Sequence, residues 1–234
     1  MHAAPVDANN SNTPDRNWSP LNPAQRRVFG VLIEKAKTTP DAYPLTLNAT
    51  TTGCNQKSNR VPQTDYDSDD VQVTLDSLRQ LGAVVEVQGD GRAAKFRHRA
   101  YDWLGVDKAE AAVLAELLLR GPQTLGELRS RAARMESIAD LNALRPIIDT
   151  LISRQLMVEL SPPGRGQIVT HGLYDEAELE QLQKDAPSSA APASRGQPAT
   201  ASSGQRIASL EAELSALRDR VAVLENRLAS WESA

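Results

Sequence analysis

With 234 residues, a net charge of −4, 40% hydrophobic and only 4% aromatic residues, the chain can fill two small cores built from Leu, Val, Ile and Ala. The opening MHAAPVDANN has no secretory apolar core, and no apolar run approaches the roughly 18 residues needed to span a bilayer, so a cytoplasmic protein with no membrane partner is expected. A lone cysteine, Cys54, excludes an intramolecular disulfide, and three histidines beside it are too few for a structural zinc tetrad, so neither metal nor cofactor is expected.

Residues 1–19 are rich in Asn, Asp, Ser and Pro without periodicity and read as a disordered tail. Asn22-Pro23 opens the first helix, with Val28, Phe29, Leu32, Ile33 and Ala36 on one apolar stripe. Leu45 to Thr52 reads as a short second helix, and Asp67, Asp69 and Asp70 start a third that carries Val71, Leu75 and Leu78. After Gly82 come a strand from Ala83 to Val87, a Gly-Asp-Gly turn and a strand from Ala93 to His98.

The same order then recurs. Asp107 with Glu110 caps a helix that buries Ala109, Ala112, Val113, Leu117 and Leu118; Gly121-Pro122 ends it, and Thr124 with Glu127 caps the next, running to about Arg134. A third helix holds Ile147, Ile148, Leu151 and Ile152, and Pro146 places its start near Arg145. Strands follow at Leu156 to Leu160 and Gln167 to Thr170, joined by Pro162-Pro163-Gly164. A shift of 73 positions lays Asp76–His98 over Asp149–His171 without a gap, matching the Val-Glu-Val and Val-Glu-Leu strands, the Gly-Arg turns and the two histidines. One unit has been used twice, and each copy ends like a winged helix, with a helix, a strand, a turn and a return strand.

The expected fold is therefore mainly α with small β-wings (α+β): winged-helix domains at 20–102 and 103–174, an acidic segment and flexible linker at 175–205, and a coiled-coil helix at 206–232. Ile207, Leu214, Val221 and Leu228 alternate with Leu210, Leu217, Leu224 and Trp231 in strict 3-4 spacing. Across a parallel partner, Arg206 would meet Glu211, Glu213 Arg218, Arg220 Glu225, and Arg227 Glu232, all of opposite sign, so a parallel homodimer is expected, with a helix folded back on its own chain as the alternative.

Thr38 to Arg60, TTPDAYPLTLNATTTGCNQKSNR, and Leu118 to Met135, LLRGPQTLGELRSRAARM, resemble the YceH family of bacterial proteins. The resemblance covers about residues 20 to 174 and implies two tandem winged helices, no catalytic activity and no cofactor.

Winged helices grip DNA with the third helix and the wing. Here the third helix of the first copy exposes Asp69, Asp70, Asp76 and Arg79, a poor surface against phosphate, whereas the net charge of +2 over residues 20–100 reflects bases elsewhere. Candidate phosphate contacts are Lys57 and Arg60 beside the second helix, Arg92, Lys95, Arg97 and Arg99 on the first wing, Arg129, Arg131 and Arg134 on the second copy's second helix, and Arg165 on its wing. The bland reading of each is a solvated face or hairpin tip, and that of Asn55 to Arg60 is turn formation. No Gly-rich phosphate loop, HExxH or nucleophile elbow is present, so no catalytic residue is expected. The expectation is a non-enzymatic, DNA-binding regulator, with a protein-binding scaffold resembling chromosome-segregation adaptors as the rival.

Overall fold

The computed structural model describes residues 18–88 and 93–185, and all of these belong to one compact unit. They form a mixed α and β fold of eight α-helices and two three-stranded antiparallel sheets. The first copy runs α1 (Pro23–Thr38), β1 (Leu45–Thr46), α2 (Leu47–Cys54), α3 (Ser68–Gln80), β2 (Val84–Gln88) and β3 (Ala94–His98). A single-turn α4 (Ala100–Trp103) leads to α5 (Lys108–Arg120), β4 (Gln123–Thr124), α6 (Leu125–Ala132), α7 (Leu141–Ser153), β5 (Met157–Glu159) and β6 (Ile168–His171), followed by α8 (Glu176–Asp185).

Both copies use the same devices. Asn22 with Gln25, and Asp107 with Glu110, form reciprocal capping boxes at the starts of α1 and α5, satisfying backbone N–H groups that a helix start leaves open. In each copy a Pro-x-Thr-Leu stretch, Pro44–Leu47 and Pro122–Leu125, supplies a two-residue strand whose threonine caps the next helix. That strand pairs with the return strand, Leu45 opposite Phe96 and Gln123 opposite Val169, giving sheet orders β1-β3-β2 and β4-β6-β5. The first of these short strands was expected to be helix; threonine and leucine beside Pro44 pair with β3 before the helix begins at Leu47.

Helix α7 starts earlier than expected. Asp140 accepts from the Ala143 N–H at 2.8 Å and opens the helix at Leu141, which leaves Pro146 inside it. Pro146 lies on the exposed face, so the Asn142 carbonyl that loses its donor stays open to water. Trp18, expected in the disordered tail, is only 8% exposed, and the Leu21 N–H donates to the Leu173 carbonyl at 2.9 Å, tying the start of the fold to its end. Helix α8 occupies the expected acidic segment, where Arg26 holds Glu178 at 2.7 Å.

The two copies share a core. Glu110 through Arg120 are all buried, not one stripe of α5 alone, because one side of this helix packs on α1 and the other on α6, α7 and β6. Gly30 makes the approach of α1 and α5 possible: a β-carbon there would lie 3.1 Å from the Leu118 Cβ. Phe29 stands edge-on to Trp103, with ring centroids 5.4 Å apart, and so joins α1 to the connector α4.

Candidate functional site

Strand alternation sets Lys95 and Arg97 on the outer face of β3 and buries Phe96 and His98 beneath them. Lys57, Lys95, Arg97, Arg134 and Arg165 make no hydrogen bond or ion pair through their side chains among the described residues, and all are exposed or half-exposed. Three other expected contacts are engaged. Arg99 pairs with Asp102 at 3.3 Å, Arg129 donates to the carbonyls of Ile138 and Ala139, and Arg131 donates to Gln123 at 2.6 Å. Arg92 lies outside the described residues, as do Ile207, Leu210, Leu214, Leu217, Val221, Leu224, Leu228 and Trp231.

Arg60 departs from the expectation of a surface cation. Its side chain is 0% exposed, grips Glu34 at 2.5 Å and donates to the Gly53 carbonyl at 3.1 Å. In the loop before it, Asn55 also turns inward: its amide donates to the Tyr66 carbonyl at 2.7 Å and accepts from the Tyr66 N–H at 2.9 Å, folding the chain back between α2 and α3. Cys54 is fully buried, and burial pushes its thiol up to about 12, far from a reactive thiolate.

The third helices turn outward with little positive charge. On α3, Asp67 and Asp70 form a capping box, Asp69 is exposed beside them, and Val73 is 69% exposed one turn on. Arg79 at the far end pairs with Asp76 at 2.9 Å and with Glu86 at 3.0 Å. On α7 the corresponding face offers Leu141, 52% exposed, with Ala143, Arg145, Pro146 and Asp149.

The most enclosed polar chemistry lies where the copies meet. The matching histidines end β3 and β6, and in both the Nδ1 accepts a backbone N–H two residues on, from Ala100 and Leu173, each at 3.2 Å. That contact makes Nε2 the protonated nitrogen in the neutral ring. Both rings lie on a tyrosine three residues later: His98 meets Tyr101 edge-on at 5.3 Å, and His171 stacks on Tyr174 at 3.9 Å. Burial holds His98 down at about 4, with Lys37 and Arg97 adding to the effect, and holds the fully buried His171 well below its ordinary value.

Beside His171, a cavity of about 270 Å³ runs between α1, the loop after Arg60, and the end of α5. Arg26, Arg27 and Arg120 line it, and no carboxylate does. A second cavity of about 230 Å³ lies beyond Arg120, between Glu34, Gln56, Ser58, Arg131 and Arg134. Burial lowers Arg120 to about 10, helped by Arg131 and Arg134, although Glu116 on the preceding turn pairs with it.

Residues 21–165 match the profile of the family described as "Protein of unknown function, DUF480". The chain belongs to the DUF480 family. It is 54% identical to a UPF0502 protein of Rhodopirellula baltica over 177 residues, 74% of this chain and 75% of that protein. It is 43% identical to a UPF0502 protein of Geobacter sulfurreducens over 201 residues, 84% and 90% of the respective lengths. This is the YceH-like family that the two segments resemble.

The DUF480 match takes in the first copy, the second as far as its hairpin turn and the cations from Lys57 to Arg165, and stops short of β6, α8 and the heptads. The sequence marked His171 only as the repeat partner of His98 at a strand end and gave no role to Arg27 or Tyr174, and the junction brings all three together. For Arg27 the signal was the adjacent pair Arg26-Arg27 directly before the apolar run Val28 to Ile33. Among the described residues no helix is long and apolar enough to cross a membrane, and no three His, Cys, Asp or Glu side chains are grouped to hold a metal.

Proposed function

We propose that this DUF480 protein is a non-enzymatic cytoplasmic adaptor of two winged helices, one per copy, whose outward third helices dock a protein. The element order of each copy, helix, strand, helix, helix and hairpin, supports the winged-helix reading. The partner class follows from the faces of α3 and α7. A duplex laid along α3 would meet Asp67, Asp69 and Asp70, whereas a protein would find the exposed Val73 on α3 and Leu141 and Pro146 on α7.

A second reading keeps DNA as the partner, held by the hairpins alone. Lys95, Arg97 and Arg165 favour it, since none has a carboxylate to neutralise it among the described residues. In either case the heptads from Ile207 to Trp231 would pair two chains in parallel and double a weak surface.

Titrating the full chain with a short duplex at several salt concentrations separates the two. The adaptor reading expects no binding even at about 50 mM salt, where phosphate contacts are strongest. Binding that weakens steeply with salt and is abolished by Lys95→Glu with Arg97→Glu would replace it with the DNA reading. A photo-crosslinking residue at Val73 or Leu141 should capture protein in cells, and one at Lys184 should not. For the dimer, sedimentation of the full chain against a chain ending at Pro187 should show a larger species becoming a smaller one; two monomers would exclude the zipper.

A further inference from the structure

Arg27 is a buried cation with no anion. Only 3% of it is exposed; its Nη2 donates to the Pro62 carbonyl at 2.5 Å, its Nη1 reaches the Cys54 carbonyl at 3.5 Å, and its Nε is buried without any partner. Arg26 has Glu178, Arg60 has Glu34 and Arg120 has Glu116, but no carboxylate lies within ion-pair distance of Arg27 among the described residues. Removing a guanidinium from water is costly unless a counter-charge and hydrogen bonds replace the lost hydration. Burial lowers the affinity of Arg27 for its proton, and the neighbouring Arg60 lowers it further.

The cavity of about 270 Å³ that Arg27 lines has the features such a counter-charge would need. Its charged wall is Arg26, Arg27 and Arg120, and its apolar wall is Val61, Leu117 and Leu118. His171 lines it too. With Nδ1 taken by the Leu173 N–H, the neutral ring offers Nε2–H as a donor, and that nitrogen has no hydrogen bond among the described residues. Arg27 from helix α1 and His171 from the end of β6 therefore line one pocket. Its walls are fixed by backbone pairing across the junction, the Val61 N–H donating to the Leu119 carbonyl at 2.9 Å.

We infer that this junction cavity binds a small organic anion, a carboxylate or phosphate group on a short apolar body, with Arg27 as the charged anchor and the His171 Nε2–H as a second donor. The volume is just under the usual range for ligand pockets, roughly 300–1,000 Å³, so it suits a metabolite and not a nucleotide chain. A planar guanidinium suits the two oxygens of either group. Because Val61 and Leu119 belong to different copies, an occupant would tighten the seam between them.

The test is calorimetric titration of the full chain with benzoate and phenyl phosphate, beside inorganic phosphate and benzyl alcohol as anion-only and body-only probes, each repeated as a melting curve. One of the two aromatic anions should bind and raise the melting temperature, with benzyl alcohol inert and inorganic phosphate at least ~10-fold weaker for want of apolar contact. Arg27→Gln should weaken binding at least ~10-fold, and Lys108→Gln, at an exposed cation on the first turn of α5 and outside the cavity, should leave it unchanged. Should Arg27→Gln fail to fold, Val61→Phe answers instead: Val61 is exposed yet lines the cavity, so a larger ring there should block the probe without disturbing the core. Absence of binding by both aromatic anions, unchanged binding in Arg27→Gln or Val61→Phe, or equal loss in Lys108→Gln overturns the inference.

Discussion

Gly82 and Gln155 stand 73 positions apart and hold the same left-handed turn after the third helix, at φ 77° and 58°. The turn aims the chain from α3 into β2 and from α7 into β5, so both copies require it although one fills it with a side chain. A β-carbon at Gly82 would meet nothing within 4 Å, so Gly82→Ala carries the cost of the backbone conformation alone, about 1 kcal/mol of destabilisation. Gln155→Gly should move stability the other way by a few tenths of a kcal/mol, relief of strain being partly offset by a freer unfolded chain. Urea midpoints of the two variants, compared at equal slope, check both signs.

The paired histidines make stability fall in mild acid. Their protonation is held down in the fold, so the unfolded chain binds protons first as pH drops. Their contribution is complete above the unfolded value of about 6.5 and is lost as pH falls from there, the His98 share being exhausted near pH 4. His98→Asn keeps an acceptor for the Ala100 N–H and should flatten the decline between about pH 6 and 4 by up to ~1 kcal/mol per pH unit, read as melting temperature against pH.

Arg60 and Glu34 answer for each other. Both are largely shielded from water, so removing one leaves an unmatched charge inside the fold. Arg60→Met and Glu34→Leu should each cost about 3–5 kcal/mol, and the double variant should recover a large part of that loss. A double-mutant cycle in denaturant measures this; simple additivity would contradict the pairing.

Gly30 should resist even alanine. Alanine favours a helix by roughly 1 kcal/mol, yet its methyl would press on the Leu118 and Leu119 side chains at 3.1 Å, where α1 and α5 already pack closely. The net expectation for Gly30→Ala is a loss of about 1 kcal/mol, visible as a lower melting temperature, and Gly30→Val should lose more.

What the sequence discloses is what neighbours in sequence decide. The caps at Asn22, Asp107 and Thr124 were legible because donor and acceptor stand three residues apart, and the turn into the first hairpin because Gly82 marks it, whereas nothing about Gln155 announced the same turn in the second. Pro146 misled because its tolerance depends on facing water, which depends on what α7 packs against. Arg60 read as a surface base for a similar reason: its partner Glu34 is 26 residues away, on helix α1. The junction cavity was hidden more deeply, since its wall is assembled from α1, the loop beyond α2, the end of α5 and the end of β6. No local spacing encodes such a meeting.

Since α1 of one copy is pressed on α5 of the other at Gly30, neither copy retains a free-standing interior. The duplication has become a ratchet: a gene cut back to one copy would leave half of a shared interior open to water, so deletion cannot undo what duplication made. Mutation can still reshape the two outer faces independently, whereas any change along the seam must satisfy both copies at once.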